Sequence, residues 1–178
     1  MAEKSIGLIE LFSIAAGFLV ADTMLKAGNV RLILSRSICS GKYMMLIGGE
    51  AAVAAGAEAA NGCLIDQFVI ANVHPDVIVA LGRTAPMEPT GALGILESFN
   101  VATLLQAADA CAKAANVTLM EIRLAMALGG KAFVTLTGDV GSVQAAVAAG
   151  RQVMAEAGVL VSAIVISRPH PDVYREVI

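Results

Sequence analysis

The chain has 178 residues, a net charge of −3, an apolar fraction of 57% and only 15% charged residues. Against the usual ~45–50% apolar and ~25% charged, this balance excludes disorder and argues against a lone monomer, because contact between subunits takes up apolar surface beyond one core. Aromatics at 4%, no tryptophan and the acidic balance exclude a nucleic-acid binder, and the longest charge-free runs, such as Leu11–Ala21, fall short of the ~20 residues that cross a membrane.

The opening Met1-Ala2-Glu3-Lys4 lacks the basic and apolar regions of a secretory leader. Three cysteines without paired spacing (Cys39, Cys63, Cys111) read as reduced thiols of a cytosolic protein. The apolar run Ile6–Phe12 predicts a strand. Ser13 then fits an N-cap for a helix over Ile14–Ala27, with Asp22 and Lys26 paired at i,i+4 and Gly28 as its stop. Val30–Ile38 and Tyr43–Ile47 flank Gly41-Lys42 and predict a hairpin. Gly49-Glu50 opens an alanine-rich helix, Leu64–Ala71 reads as a last strand, and a short helix starts near the proline of His74-Pro-Asp-Val77.

The same series then recurs. Ile6-Gly-Leu-Ile-Glu10 matches Leu93-Gly-Ile-Leu-Glu97, Ala21-Asp22 matches Ala108-Asp109, and Lys26-Ala27 matches Lys113-Ala114, all at an offset of 87. Further on, Gly41-Lys42 matches Gly130-Lys131 and His74-Pro-Asp-Val77 matches His170-Pro-Asp-Val173. The second copy therefore predicts a strand Leu93–Phe99, an Asn100-capped helix Val101–Ala115, a hairpin from Val117–Met126 and Ala132–Thr137, a longer helix opened by Gly138-Asp139, and a strand Val159–Ile166. The expected fold is α+β: two tandem ferredoxin-like domains, each βαββαβ plus a terminal helix, with helices on one face of an antiparallel sheet. The domains are placed at 1–84 and 92–178, with a linker at 85–91 that holds Pro86 and Pro89.

Few residues carry chemistry. Gly41-Lys42 and Gly130-Lys131 lack the remaining glycine and the Ser or Thr of a phosphate loop. Glu10 and Glu97 lie inside apolar strands at the same position of each copy, which points to a structural carboxylate capping backbone amides rather than an acid–base pair. His74 and His170 sit one per copy without zinc-site spacing, and Asn116-Val-Thr118 is a glycosylation pattern with no meaning in a cytosol. Cys63 and Cys111 read as buried small apolar residues. Cys39 lies at a hairpin turn where the other copy has Met126. It is either filler or, on a threefold axis, one of three converging sulfurs; iron–sulfur clusters normally take four thiolates.

The runs Gly7-Leu-Ile-Glu10, Ala21-Asp22 with Leu25-Lys26-Ala27, Ser40-Gly41-Lys42 and Arg168-Pro-His170 resemble the bacterial microcompartment shell domain, once per copy and over nearly the whole chain. The duplication resembles the tandem-domain members found in propanediol-utilisation shells. The resemblance implies a non-enzymatic homotrimer, a pseudohexameric tile that packs with other shell proteins around enzymes inside the cytoplasm, with no nucleic-acid or membrane partner. It implies edge contacts at Lys26, Lys113, Arg168 and His170. It also implies a central pore lined by Ser37, Ile38, Ser40, Gly41 and Lys42 of one loop and Met126, Leu128, Gly129, Gly130 and Lys131 of the other. In the propanediol T-type members, the cysteine of an Ile-Cys-Pro-Gly-Lys stretch holds a [4Fe–4S] cluster on the threefold axis. Cys39 is implied as that metal ligand here, with Ser40 in place of the proline, and the cluster as a redox centre for electron transfer, or for cluster delivery, to enzymes of the lumen. The alternative is a metal-free tile whose pore conducts small metabolites.

Overall fold

The computed structural model describes residues 4–82, 91–126 and 128–173. The expected linker lies mostly outside the described residues, as does whatever follows Val173 in the terminal helix. The first copy runs β1 (Ile6–Leu11), α1 (Ile14–Ala27), β2 (Arg31–Ile38), a 3-10 turn (Cys39–Gly41), β3 (Lys42–Gly48), α2 (Val53–Ala59), β4 (Leu64–Ile70) and α3 (Pro75–Leu81). The second runs β5 (Ala92–Ser98), α4 (Val101–Ala114), β6 (Thr118–Leu124), β7 (Ala132–Gly138), α5 (Val140–Glu156) and β8 (Leu160–Ile166). Each copy forms a four-stranded antiparallel sheet, in the orders β2-β3-β1-β4 and β6-β7-β5-β8. This is the split βαβ arrangement the sequence predicts.

The elements start where their caps stand. Ser13 accepts from the Ala16 amide, Asn100 from Thr103, and Asp139 from Ser142, each satisfying a helix donor that lacks an intrahelical partner. His74 does the same for α3, its ring accepting from the Asp76 amide with Pro75 in the first turn. The stop at Gly28 works differently from expectation. Gly28 is extended (φ −156°), and its counterpart Ala115 adopts the same conformation, so no glycine freedom is used. Gly49-Glu50 does not open α2 either; that helix starts at Val53 after Ala52, because the chain spends Gly49 (φ +105°) on the turn out of β3. The second hairpin strand ends at Leu124, short of Met126, because Ala125 turns at φ +48°.

In the first sheet Ile9, Leu11, Met45 and Ile47 point toward α1 and α2 and close a core with Val20, Met24 and Val53. Full burial of each such side chain stabilises by roughly 1.5–3 kcal/mol. Gly56 of α2 is needed for this approach: a Cβ there would lie 2.5 Å from Ile9 Cδ1 and 2.6 Å from Met24 Cγ. In the second copy Leu96, Val134, Leu136, Leu104 and Val143 are all buried, and on the other face of β5 Leu93 packs with Met120, Ile95 and Ile166. Gly150 lets α5 lie directly on α4, where a Cβ would meet Cys111 Sγ at 2.5 Å.

The compact units do not follow the sequence repeat. One holds the chain up to Val73 together with Ala125–Gly130; the other holds His74–Leu124 and the chain from Lys131 onward. The expectation of a first domain over 1–84 counted α3 with its own repeat. In the structure α3 belongs to the second unit, where it packs against β6 and α4 and buries Val77 completely.

Candidate functional site

The 3-10 turn at Cys39 joins β2 to β3. Ser40 and Gly41 both take positive φ (67° and 71°), which tightens the turn. For Ser40 this left-handed conformation is strained, and proline, fixed near φ −65°, cannot adopt it. Cys39 is half-buried. Its backbone N–H donates to the Ala125 carbonyl at 2.8 Å, so the first hairpin turn is hydrogen-bonded to the loop that follows β6. The two loops close in on each other at Gly130, where a Cβ would lie 3.2 Å from Ser40 Oγ. Ala125 is buried and, like Ser40, carries strained positive φ. Two loops singled out separately in the sequence are thus brought together within the first compact unit. Around them Ser37, Ser40, Gly41, Met126 and Gly129 are exposed, Leu128 is half-buried, and Ile38 and Gly130 are buried.

The lysines of the two Gly-Lys pairs reach back under the sheets. Lys42 Nζ donates to Glu10 Oε1 at 2.9 Å, and Lys131 Nζ to Glu97 Oε1 at 2.9 Å. Glu10 and Glu97, expected as structural carboxylates, each meet the hairpin lysine of their own copy. The signal was present in the sequence, since both members of the pair are duplicated. The two pairs differ in exposure. Side-chain exposure is 0% for Glu10 and 21% for Lys42, against 30% for Glu97 and 40% for Lys131. Lys131 also lies 6.0 Å over the Phe99 ring.

Cys111 is fully buried, and burial pushes its thiol up to about 12. Cys63 is only partly buried, at the rim of the first core, short of the burial expected for it. Among the described residues no three His, Cys, Asp or Glu side chains gather so as to hold a metal ion. Among the described residues Cys39 is the one cysteine of the two joined loops.

Lys26 and Lys113 pair with Asp22 (2.6 Å) and Asp109 (2.5 Å) at i,i+4, as the spacing predicted. Arg168 and His170 are exposed. Asp109 has a second partner that sequence reasoning missed: the His74 backbone N–H donates to its Oδ1 at 2.7 Å. The helices that carry these aspartates differ sharply. On α4, Val101, Leu104, Leu105, Ala108 and Ala112 are buried; on α1, Ile14, Phe18, Leu19 and Leu25 are exposed, with Phe12 beside them. The apolar excess read from composition surfaces here.

The domain model of the bacterial microcompartment (BMC) family matches the chain twice, over residues 5–73 and 92–169. This chain belongs to the BMC domain family. It is 38% identical over 180 residues to the bacterial microcompartment shell protein PduT of Citrobacter freundii, covering 98% of each chain. Half of it is 40% identical, over 81 residues, to the shell protein EutM of Salmonella typhimurium, covering 82% of that relative. A crystal structure of a microcompartment protein from Desulfitobacterium hafniense DCB superposes with a TM-score of 0.88 at 46% identity, covering 98% of this chain and 99% of the other. Two BMC domains in tandem account for the duplication, the sheet orders and the paired loops. No helix among the described residues is long and apolar enough to cross a membrane.

Proposed function

We propose that the chain is a structural tile of a bacterial microcompartment shell in the cytoplasm, acting as a homotrimer whose six BMC domains form a pseudohexamer, and that it catalyses no reaction. The observation that carries this reading is the near full-length similarity to PduT, both chains being covered almost entirely. Three further features support it: the exposed apolar face of α1, which a lone chain leaves in water; the absence of a catalytic constellation among the described residues; and edge positions Lys26, Lys113, Arg168 and His170 that stay accessible or half-accessible. In this reading the joined loops around Cys39 and Ala125 line the central pore. Light scattering should give a three-chain particle, and electron microscopy of concentrated protein should show flat sheets or tubes. A stable single-chain species overturns the reading.

The finer part of the proposal is an iron–sulfur centre at that pore. One half-buried thiol sits in a tight turn of each chain, so three copies would supply three thiolates from Cys39 and leave a fourth cluster position to another ligand. Such a cluster supplies one-electron redox chemistry between the two sides of the shell. Protein purified without oxygen should then carry about four irons per trimer, matching one cluster of the four-iron type. Cys39→Ser should lose the iron and keep the trimer. Iron-free anaerobic protein instead favours an open pore for small metabolites.

A further inference from the structure

The chain contains five asparagines, and four of them precede a valine: Asn29-Val30, Asn72-Val73, Asn100-Val101 and Asn116-Val117. The fifth, Asn61, precedes Gly62. The neighbour decides the chemistry, because the backbone nitrogen after an asparagine is a nucleophile that can close a five-membered ring on the side-chain amide carbon. Ring closure needs that nitrogen uncrowded, without a hydrogen-bond acceptor, and open to water. Valine branches at Cβ and crowds its own nitrogen, whereas glycine carries no Cβ.

The folded chain separates the five sites on the same grounds. The Val30, Val73 and Val117 amides donate to the Gly28, Lys4 and Ala115 carbonyls, each at 2.9 Å. Asn100 is held by its own cap, its Oδ1 accepting from the Thr103 amide, and Val101 after it is fully buried. Asn61-Gly62 lies between α2 and β4, at the tip of a turn closed by the Cys63 N–H donating to the Ala60 carbonyl at 2.8 Å. Both residues take positive φ, 43° and 82°, as the central pair of a type I′ turn does, and both are exposed. Among the described residues the Gly62 N–H meets no acceptor. A Cβ placed on Gly62 would find nothing within 4 Å, so water reaches the turn freely.

We infer that Asn61-Gly62 is a self-modification site at which the chain deamidates. The Gly62 nitrogen bonds to Asn61 Cγ and gives its proton to a solvent base; the Cγ–Nδ2 bond breaks and ammonia leaves. Water then opens the resulting succinimide. Breaking the bond from the nitrogen to Cγ leaves aspartate. Breaking its bond to the main-chain carbonyl carbon leaves isoaspartate, with the chain running through Cγ. One water enters, one ammonia departs, and no oxidant, metal or enzyme takes part. Either product adds a carboxylate, and isoaspartate also adds a methylene to the backbone of a two-residue turn. The reaction needs a single chain and is independent of the tile reading.

The test incubates the folded full-length protein in warm, mildly alkaline buffer and samples it over days by peptide mass spectrometry. Fragmentation is needed because Asn61 and Asn72 share the tryptic peptide between Lys42 and Arg83. Asn61 should gain one mass unit progressively while the four Asn-Val sites stay unchanged. Methyl transfer to the new carboxylate by an isoaspartate methyltransferase should rise in parallel. Asn61→Gln, which would have to close a six-membered ring, should lose both signals and keep the circular dichroism of the parent. A free peptide spanning Ala59–Leu64 gives the rate of an unconstrained Asn-Gly pair. Protein that stays unmodified while this peptide converts overturns the inference, because the turn then protects the site. Equal gain at any Asn-Val site overturns selection by the following amide. An isoaspartate signal that persists in Asn61→Gln overturns the assignment to Asn61.

Discussion

Lys42→Met and Lys131→Met make one chemical change at equivalent places in two copies, so each is the other's control. Met conserves much of the stem and removes only the ammonium. At Lys42 the carboxylate that loses its ammonium is Glu10, wholly buried. Breaking a buried pair by removing one partner costs about 3–5 kcal/mol, and the 21% exposure of Lys42 sets the expectation at the lower end, about 3 kcal/mol. At Lys131 the stranded Glu97 is 30% exposed and water solvates it. A pair of that kind is worth about 0–1 kcal/mol, with the contact over Phe99 included in the upper figure. The expected gap is about 2–3 kcal/mol, which in a chain of this size is roughly 4–12 °C in midpoint temperature. Thermal melts of both variants at equal chain concentration measure it, concentration being fixed because oligomerisation shifts apparent stability. Equal midpoints, or a larger loss for Lys131→Met, refute the argument that burial of the carboxylate sets the cost.

Four further outcomes follow from the geometry. Gly150→Ala should destabilise by about 1–3 kcal/mol through the clash with Cys111, less the ~1 kcal/mol gained in helix propensity, and adding Cys111→Ala should restore part of it; additive losses in denaturant melts would contradict the close approach. Ser40→Pro should cost more than about 1 kcal/mol and disturb the Cys39–Gly41 turn, since φ +67° is closed to proline, while Ser40→Gly should be tolerated; urea midpoints decide. Cys111 should resist thiol reagents at pH 8 until the protein unfolds. Its folded thiol titrates near 12 and an unfolded one near 9, so its contribution is whole below about 9 and is lost as pH rises between the two values. Asp139 is held below the ordinary carboxylate range by the Ser142 hydroxyl and amide, so its capping of α5 is present at neutral pH and lost as acid titrates it; the stability gap between parent and Asp139→Ala should narrow below the usual aspartate pKa of about 3.9.

Much of the fold was legible because it rests on local chemistry. Apolar strands, the caps Ser13, Asn100 and Asp139, and the shared offset of two copies are all short-range signals, and they set the strands and the capped helices within about two residues, whereas α2, without a side-chain cap, starts later than its opening glycine suggests. The caps are readable because a side chain three residues from its donor needs no tertiary partner. The helix stop at Gly28 was misread for the same reason: glycine permits a left-handed turn, but only packing decides whether the chain takes it, and Ala115 shows that it does not.

The sequence by itself determined the duplication, the strand and helix order, and which residue types recur; the tertiary structure decided who meets whom. Glu10 finds Lys42, and Cys39 finds Ala125, because strands and turns distant along the chain are neighbours in the folded sheets. Asp22 and Asp109 are the same residue in the same sentence of sequence, yet one is solvated and the other buried under His74. Both helices carry the same Ala-Asp and Lys-Ala pattern and the same i,i+4 pair, so it is the surrounding chain, packed on Asp109 by the His74 backbone, that separates them.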